Sequence, residues 1–472
     1  MKLSTWRTAL VWAPLALIVV FPRVLDAHAR LLRSSPGGDE HLAQSPTQLR
    51  LWFSETPQLA LTRVTLLAPD SSVVALGPLT ESGEMSVTLA IGKPLSPGKY
   101  VVVWHVAAAD GHPSNGRFRF VVDDDARGAM RAGLPGDDTA AKRRDTLPRG
   151  GTASGNAFIV PSRDTSAMVS GRAYIGARWL ELVALLASIG AVVFRLGLAF
   201  VVRQADAQPN PRNPGGASVL DAVLRLFRPM LVLLLVANLI RLGGEWQLVQ
   251  QQGMSISMRA LLDTAWGHGW LVGVSGVVLA GIGAVLAKRL TAGWAIAGAG
   301  VLLAALTPAI TGHAIASPDH RTLAVTADLL HVLGGGAWLG TLLVIVLAVL
   351  PALREQDPEA WGSRTSVLLT AFSPIALTGA AVVLASGVVS AWLRLGSLPA
   401  LWQTPYGRVL LVKVAFAALI AIIGAWNWRA MQPAVAEGES PTRIRKSAST
   451  ELVTAGLLLI VTAILIALPT PV

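Results

Sequence analysis

Apolar and polar positions follow one rule up to about residue 122 and another from about residue 171. In 28–122, short runs such as Gln48 to Phe53, Leu61 to Leu67, Met85 to Ile91 and Tyr100 to Val106 alternate apolar with polar residues. Pro, Gly, Ser and Asp bound each run. A period of two between turn residues predicts short antiparallel strands, and about 95 residues of this kind support one all-β sandwich core.

From Gly171 to the end at 472, long apolar runs replace the alternation: about 175–202, 219–242, 268–288, 293–313, 323–350, 365–393, 408–430 and 450–469. Each holds the roughly 20 residues a helix needs to cross the hydrocarbon of a bilayer. The prediction is an all-α polytopic membrane bundle of eight transmembrane helices. Pro229, Pro308 and Pro374 fall in or near these runs, which membrane helices tolerate. Two segments stand outside both patterns. Residues 1–27 read as an export signal, with Lys2 and Arg7 ahead of the apolar run Ala9 to Phe21. Cleavage after Ala27 is expected, although Leu25 departs from the small-residue rule and leaves an uncleaved anchor as the alternative. Residues 123–170 are rich in Asp, Arg, Gly, Ser and Pro and read as a solvated linker; its Lys142-Arg143-Arg144 is a solvated charge run.

Composition agrees. Of 472 residues, 53% are hydrophobic and 14% charged, against roughly 25% charged in soluble domains. The net charge of +11 does not call for nucleic acid, because basic residues follow one set of loops. With 28–122 outside, the inner loops carry Arg203, Arg212, Lys288, Arg289, Arg354, Arg364, Arg429, Arg443, Arg445 and Lys446. The outer ones carry Arg241, Arg259, Arg321, Arg394 and Arg408. That asymmetry is the positive-inside rule. No Gly-rich nucleotide loop is present, and with no cysteine every thiolate site is excluded.

Histidines carry the chemistry. Four lie in the β-segment (His28, His41, His105, His112) and four at outer helix ends (His268, His313, His320, His331). Cleavage after Ala27 would make His28 the N-terminus, where amine and ring close a chelate. Asp110-Gly111-His112-Pro113 sets a carboxylate and an imidazole two residues apart, on one side of an extended segment. Amine, two imidazoles and a carboxylate suit square-planar Cu(II). On spacing alone the same residues also read as a frayed terminus and an ordinary loop. His105 reads as a sheet residue and His41 as a solvated one. In the bundle, Asp328, His331, Gly335 and Trp338 step by three, four and three and so share a helical face. An imidazole one turn from a carboxylate is a common metal-ligand pairing, or equally a structural hydrogen bond. Met254 and Met258 are four apart before the third run. If helical they share a face, and thioethers suit Cu(I); loop methionines also serve as packing. Trp179, Trp270 and Trp392 read as interface anchors.

Residues 28–122 resemble the copper-resistance CopC domain, a periplasmic cupredoxin-like, Ig-like β-sandwich. The likeness rests on His28-Ala29-Arg30-Leu31, Leu51-Trp52-Phe53-Ser54-Glu55, Leu95 to Tyr100 leading to Trp104, Ala109 to Pro113, and Gly116-Arg117-Phe118. It implies a Cu(II) site at His28, Asp110 and His112. The Met-rich Cu(I) site of some members is not expected, since only Met85 is present here. Residues 171–472 resemble the CopD family of copper-transport membrane proteins. There the likeness rests on Thr311-Gly312-His313-Ala314, Asp328-Leu329-Leu330-His331, Ala337 to Gly340, Ser386-Gly387, Tyr406-Gly407-Arg408, Lys413 and Gly424-Ala425-Trp426-Asn427. Trp426 and Trp428 flank Asn427 where smaller or basic residues are more usual.

The resemblance implies a multi-pass protein of a bacterial plasma (inner) membrane with its β-domain on the periplasmic side. Copper is the expected ligand, as Cu(II) outside and with Cu(I) an option in the bundle; the bilayer and a copper chaperone are further expected partners. The implied function is copper import, with His268, His313, His331, Asp328, Met254 and Met258 as pathway candidates. Copper resistance by sequestering Cu(II) outside, with the bundle as anchor, needs the same ligands. An oxidative copper enzyme would also use an N-terminal His, but Asp110 would fill the position oxygen needs, so no enzyme activity is expected.

Overall fold

A computed structural model describes residues 31–54, 56–59, 62–83, 85–107, 113–123, 172–206, 218–251, 257–312, 320–427, 429, 442–468 and 470–471. The chain divides into a β-unit and a helical unit.

Nine strands form the β-unit: β1 (Leu31–Ser35), β2 (His41–Leu42), β3 (Gln48–Phe53), β4 (Arg63–Leu67), β5 (Val73–Val74), β6 (Thr80–Glu81), β7 (Ser86–Ala90), β8 (Gly98–Ala107) and β9 (Pro113–Val122). One sheet runs β1-β3-β7-β6 and the other β2-β9-β8-β4-β5. β2 is parallel to β9, and the other pairs are antiparallel. The two-residue period holds through the core. Leu49, Leu51 and Phe53 of β3 point inward with Val87 and Leu89 of β7, and meet Leu66, Val102, Trp104, Val106 and Phe120 from the facing sheet. Each such side chain contributes about 1.5–3 kcal/mol on burial. Trp52, between two inward residues, points outward and is flanked by Arg33 and Arg50, whose guanidinium carbons lie 4.0 and 4.7 Å from its ring centre. Gly116 has a packing reason: a side chain there would strike the Trp104 indole, whose edge meets Phe53 at 5.4 Å. The Leu95 to Tyr100 corner closes when the Tyr100 hydroxyl donates to the Ser96 carbonyl at 2.8 Å.

Eight helices are long and apolar enough to cross a membrane: α1 (Ala173–Val202), α2 (Val219–Gln247), α3 (Ala265–Leu286), α4 (Ala292–Ile310), α5 (Arg321–Gln356), α6 (Trp361–Leu395), α7 (Pro405–Trp426) and α8 (Ala448–Ile466). They coincide with the eight apolar runs. Pro229, Pro308 and Pro374 sit inside α2, α4 and α6. Lipid-like surroundings offer no hydrophobic drive between helices, so close approach at small residues does the work. Gly273, Gly276 and Gly283 of α3 abut Thr307, Gly300 and Ala297 of α4 with no room for a side chain. Gly190 of α1 lies against Gly340 of α5, which also touches the Leu186 carbonyl. Two five-residue stretches of α5, Gly336–Gly340 and Ile345–Val349, take the wider π turn.

Two arginines read as outer-loop charges prove otherwise. Arg241 continues α2 and is 3% exposed, and Arg394 lies in the last turn of α6. Each is held inside the bundle by a carboxylate, so neither is a solvated loop charge. Removing both leaves the outer loops with still fewer basic residues.

Replacing Gly340 by Leu must push α1 and α5 apart. The expected result is a loss of about 1–3 kcal/mol, read as a lower thermal midpoint of the detergent-solubilised protein. An unchanged midpoint contradicts the crossing described.

Candidate functional site

Helices α5 and α6 meet along a polar seam. Asp328 of α5 accepts from Ser390 Oγ at 3.0 Å and from the Arg394 guanidinium, both on α6. One turn on, His331 Nδ1 lies 3.2 Å from Ser386 Oγ. Gly387 beside it leaves room for the imidazole, since a side chain there would come within 3.3 Å of the ring. Below it, Gly334 and Gly379 bring the two backbones together. Lys413 of α7 lies within electrostatic range of both His331 and Asp328. Trp338, in the π turn, packs against Gly379 of α6 and with Phe416, Ala417 and Ile420 of α7. The face predicted from spacing is therefore the face that α5 turns to α6 and α7. The pairing within it differs from the metal-ligand option. Asp328 is taken by Arg394 and Ser390, and His331 by Ser386, so the carboxylate does not orient the imidazole.

A second polar cluster lies among α1, α2 and α4. Glu181 receives Arg178 at 3.1 Å and Arg241 at 2.9 Å. All three side chains are at most 5% exposed. Arg241 also reaches Thr311 Oγ1 at 3.4 Å, in the Thr311-Gly312 motif. Spacing did not single out this cluster. The available signal was the presence of Arg178, Glu181 and Arg241 inside or beside apolar spans, where ionisable groups are functional hypotheses by default.

The other predicted residues divide. His28, Asp110, His112, His313 and Met254 lie outside the described residues. What leads to three of them is described. β1 begins at Leu31, which pairs with Phe53. The Phe53 ring meets Trp104, three residues before β8 ends at Ala107, opposite Pro113 at the start of β9. The first residue of β1, the last of β8 and the first of β9 thus lie at the same end of the sandwich. Gly269, next to His268, abuts Thr311, while the His268 side chain is exposed. Met258 opens a five-residue helix, Met258–Leu262, whose cap is the extended Ser257. That helix therefore does not run back toward Met254, because the cap hydroxyl ends it by accepting from the Ala260 amide at 3.2 Å. His320 stacks on Trp392 at 6.0 Å. His41 pairs with Asp123 at 3.1 Å on the surface. His105 stands between Asn115 and Arg63 on the outer side of β8. Burial, with Arg63 beside it, holds its ring below the usual imidazole range. Among the described residues no three His, Asp or Glu side chains gather into a metal-holding set.

Residues 31–123 match the CopC domain family, and residues 366–465 match Copper resistance protein D, the CopD family. One chain carries both a CopC domain and a CopD domain. The CopC match covers the sandwich, and the CopD match takes in the α6 side of the seam, α7 and nearly all of α8. The whole chain is 26% identical to the copper transport protein CutJ of Bacillus subtilis, over 79% of that protein. Protein YobA of Escherichia coli is 29% identical over 20% of this chain and 79% of its own length. Among solved structures, CopC from Methylosinus trichosporium OB3b is 28% identical, covering 20% of this chain and 94% of its own, at a TM-score of 0.19. PcoC, a methionine-rich copper resistance protein from Escherichia coli, is 28% identical over 21% of this chain and all of its own, also at 0.19. The pair of domains places the chain among copper resistance and transport proteins, as a multi-pass membrane protein with copper as its ion.

Asp328→Asn would leave the part-buried Arg394 without its counter-charge. The expected loss is about 1–3 kcal/mol, part of which returns when Arg394→Gln is added. A double-mutant cycle on thermal unfolding checks this, and additive losses would remove the pair from the stability of the seam.

Proposed function

We propose that this protein captures Cu(II) outside the membrane and imports copper through the helical bundle. The observation that carries the reading is the pairing of CopC and CopD domains in one chain that aligns from end to end with a copper transport protein. His28, Asp110 and His112 are the capture ligands in this reading, with the α-amine of His28 closing a chelate. Support comes from the strand register, which brings the start of β1, three residues after His28, and the ends of β8 and β9 that flank Asp110 and His112 in sequence to one end of the sandwich. The N and O donors match what Cu(II) takes. The CopC domain faces the periplasm and is joined to the first span by the 123–170 linker.

Within the bundle, His331 is the ligand best supported for the pathway, because it lies in a polar seam between α5 and α6. Asp328 serves there as the counter-charge of Arg394, which holds that seam closed. His313 and His268 join the pathway at the outer helix ends, beside Thr311 and Gly269. The protein has no enzymatic step in this reading; it binds the ion and moves it. The relatives named for copper resistance favour a second reading, sequestration of Cu(II) outside, which uses the same ligands.

His313→Ala and His331→Ala are expected to abolish cellular copper accumulation while the protein stays in the membrane. Unchanged cellular copper in both variants overturns import. Asp110→Ala and His112→Ala should in turn weaken Cu(II) binding in titration, with nitrogen hyperfine structure lost from the electron paramagnetic resonance spectrum in His112→Ala and kept in Asp110→Ala. Growth of a deletion strain separates the two readings: import predicts failure under copper starvation, sequestration failure under copper excess.

A further inference from the structure

Glu451, at the start of the α8 span within a helix that begins at Thr442, is 5% exposed. Its neighbours are uncharged: the Asn427 side-chain amide at the end of α7 donates to Oε2 at 3.3 Å, and the Trp338 indole of α5 lies beside it with its N–H. Gly424 of α7 lies close by, with room for nothing larger than a methyl group 3.4 Å from Oε1. The contrast with the rest of the bundle is sharp. Glu181 is held between two arginines, and Asp328 is held by Arg394. No charged side chain among the described residues bonds to Glu451. α1, which also packs on α8, turns Arg178 and Glu181 to each other and to Arg241. A carboxyl buried among apolar helices without a counter-ion stays neutral by carrying a proton or a cation.

The donors decide between these. A copper site needs several donors, and beside the single Glu451 carboxyl stand only an amide and an indole N–H, with no imidazole, thioether or second carboxylate among the described residues. A proton needs only the carboxyl itself. Position links the group to the seam. Asp328 and Trp338 are ten residues apart on α5, about 15 Å along its axis, and Trp338 joins the polar face of α5 to Glu451. We propose that Glu451 is a proton-exchanging residue of the bundle: it releases its proton when a copper cation enters the seam and regains one when copper leaves. The exchange offsets one unit of the charge that copper brings in, the whole of it for Cu(I) and half of it for Cu(II). This proposal rests on the reading of the bundle as a copper pathway and adds the ion that compensates the cargo.

Infrared difference spectroscopy of the full-length protein in lipid, with and without copper, tests the exchange without measuring transport. The expected result is a buried carboxylic-acid carbonyl band that diminishes on copper addition and is absent from Glu451→Gln. A band insensitive to copper, or one that persists in Glu451→Gln, overturns the proposal. Should Glu451→Gln fail to fold, Trp338→Phe removes the neighbouring indole N–H and must shift the band; an unshifted band overturns the assignment. Copper flux into vesicles holding the same protein separates this proposal from the reading beneath it. Wild type with the copper-sensitive band but no flux sinks import and leaves the proton site standing. Flux at least tenfold lower and insensitive to pH in Glu451→Gln, with a retained pH profile in Glu451→Asp, supports coupling. Glu451→Gln with wild-type flux and pH profile overturns it.

Discussion

Two meetings of arginine with carboxylate inside the bundle set the geometry of the helical unit. Arg241 and Arg178 converge on Glu181, tying α2 to α1. Arg394 closes on Asp328, tying α6 to α5. Desolvating such charges is expensive, and only good geometry with further hydrogen bonds offsets it. Ser390 supplies that second bond to Asp328, and Thr311 lies within reach of Arg241. Once Asp328 is locked to α6, the next turn of α5 has to present His331 to Ser386. The position of the imidazole is thus a consequence of the ion pair above it.

Small residues make the pairs possible. A side chain at Gly334 or Gly379 would separate α5 from α6, and one at Gly340 would separate α5 from α1. The π turn at Gly336–Gly340 then sets Trp338 where α6, α7 and α8 converge. A wider turn interrupts the ordinary α spacing, and such turns concentrate at functional sites. The same helix therefore carries the seam histidine and reaches the uncompensated carboxyl of Glu451. The β-unit solves a simpler problem. Alternation buries one side of each strand, and Gly116 clears the space that Trp104 occupies between the sheets.

Much of this architecture was legible in the order of residues. The run Gln48 to Phe53 became β3 without a change of boundary, because strand alternation with one buried face admits a single register. The eight apolar runs became eight helices, because length and hydropathy alone decide what can cross a bilayer. The shared face of Asp328, His331, Gly335 and Trp338 followed from helical spacing. The partners on that face did not. Asp328 one turn from His331 suggested a carboxylate–imidazole pair, yet each bonds to α6, whose residues lie more than fifty positions away. Arg241 was read as a loop charge because its carboxylate, Glu181, is sixty positions distant.

The amino-acid sequence by itself determined the two-part organisation, the strands and spans, the absence of thiolates and the residue types that favour copper. These depend on local periodicity and on composition, which are complete in the linear order. Tertiary structure decided which charges neutralise each other, which histidine faces a seam, and that Glu451 has no charged partner among the described residues. Burial and counter-charge belong to helices meeting in space, and an acidic residue inside an apolar run is a structural ion partner at Asp328 and a buried acid with uncharged described neighbours at Glu451.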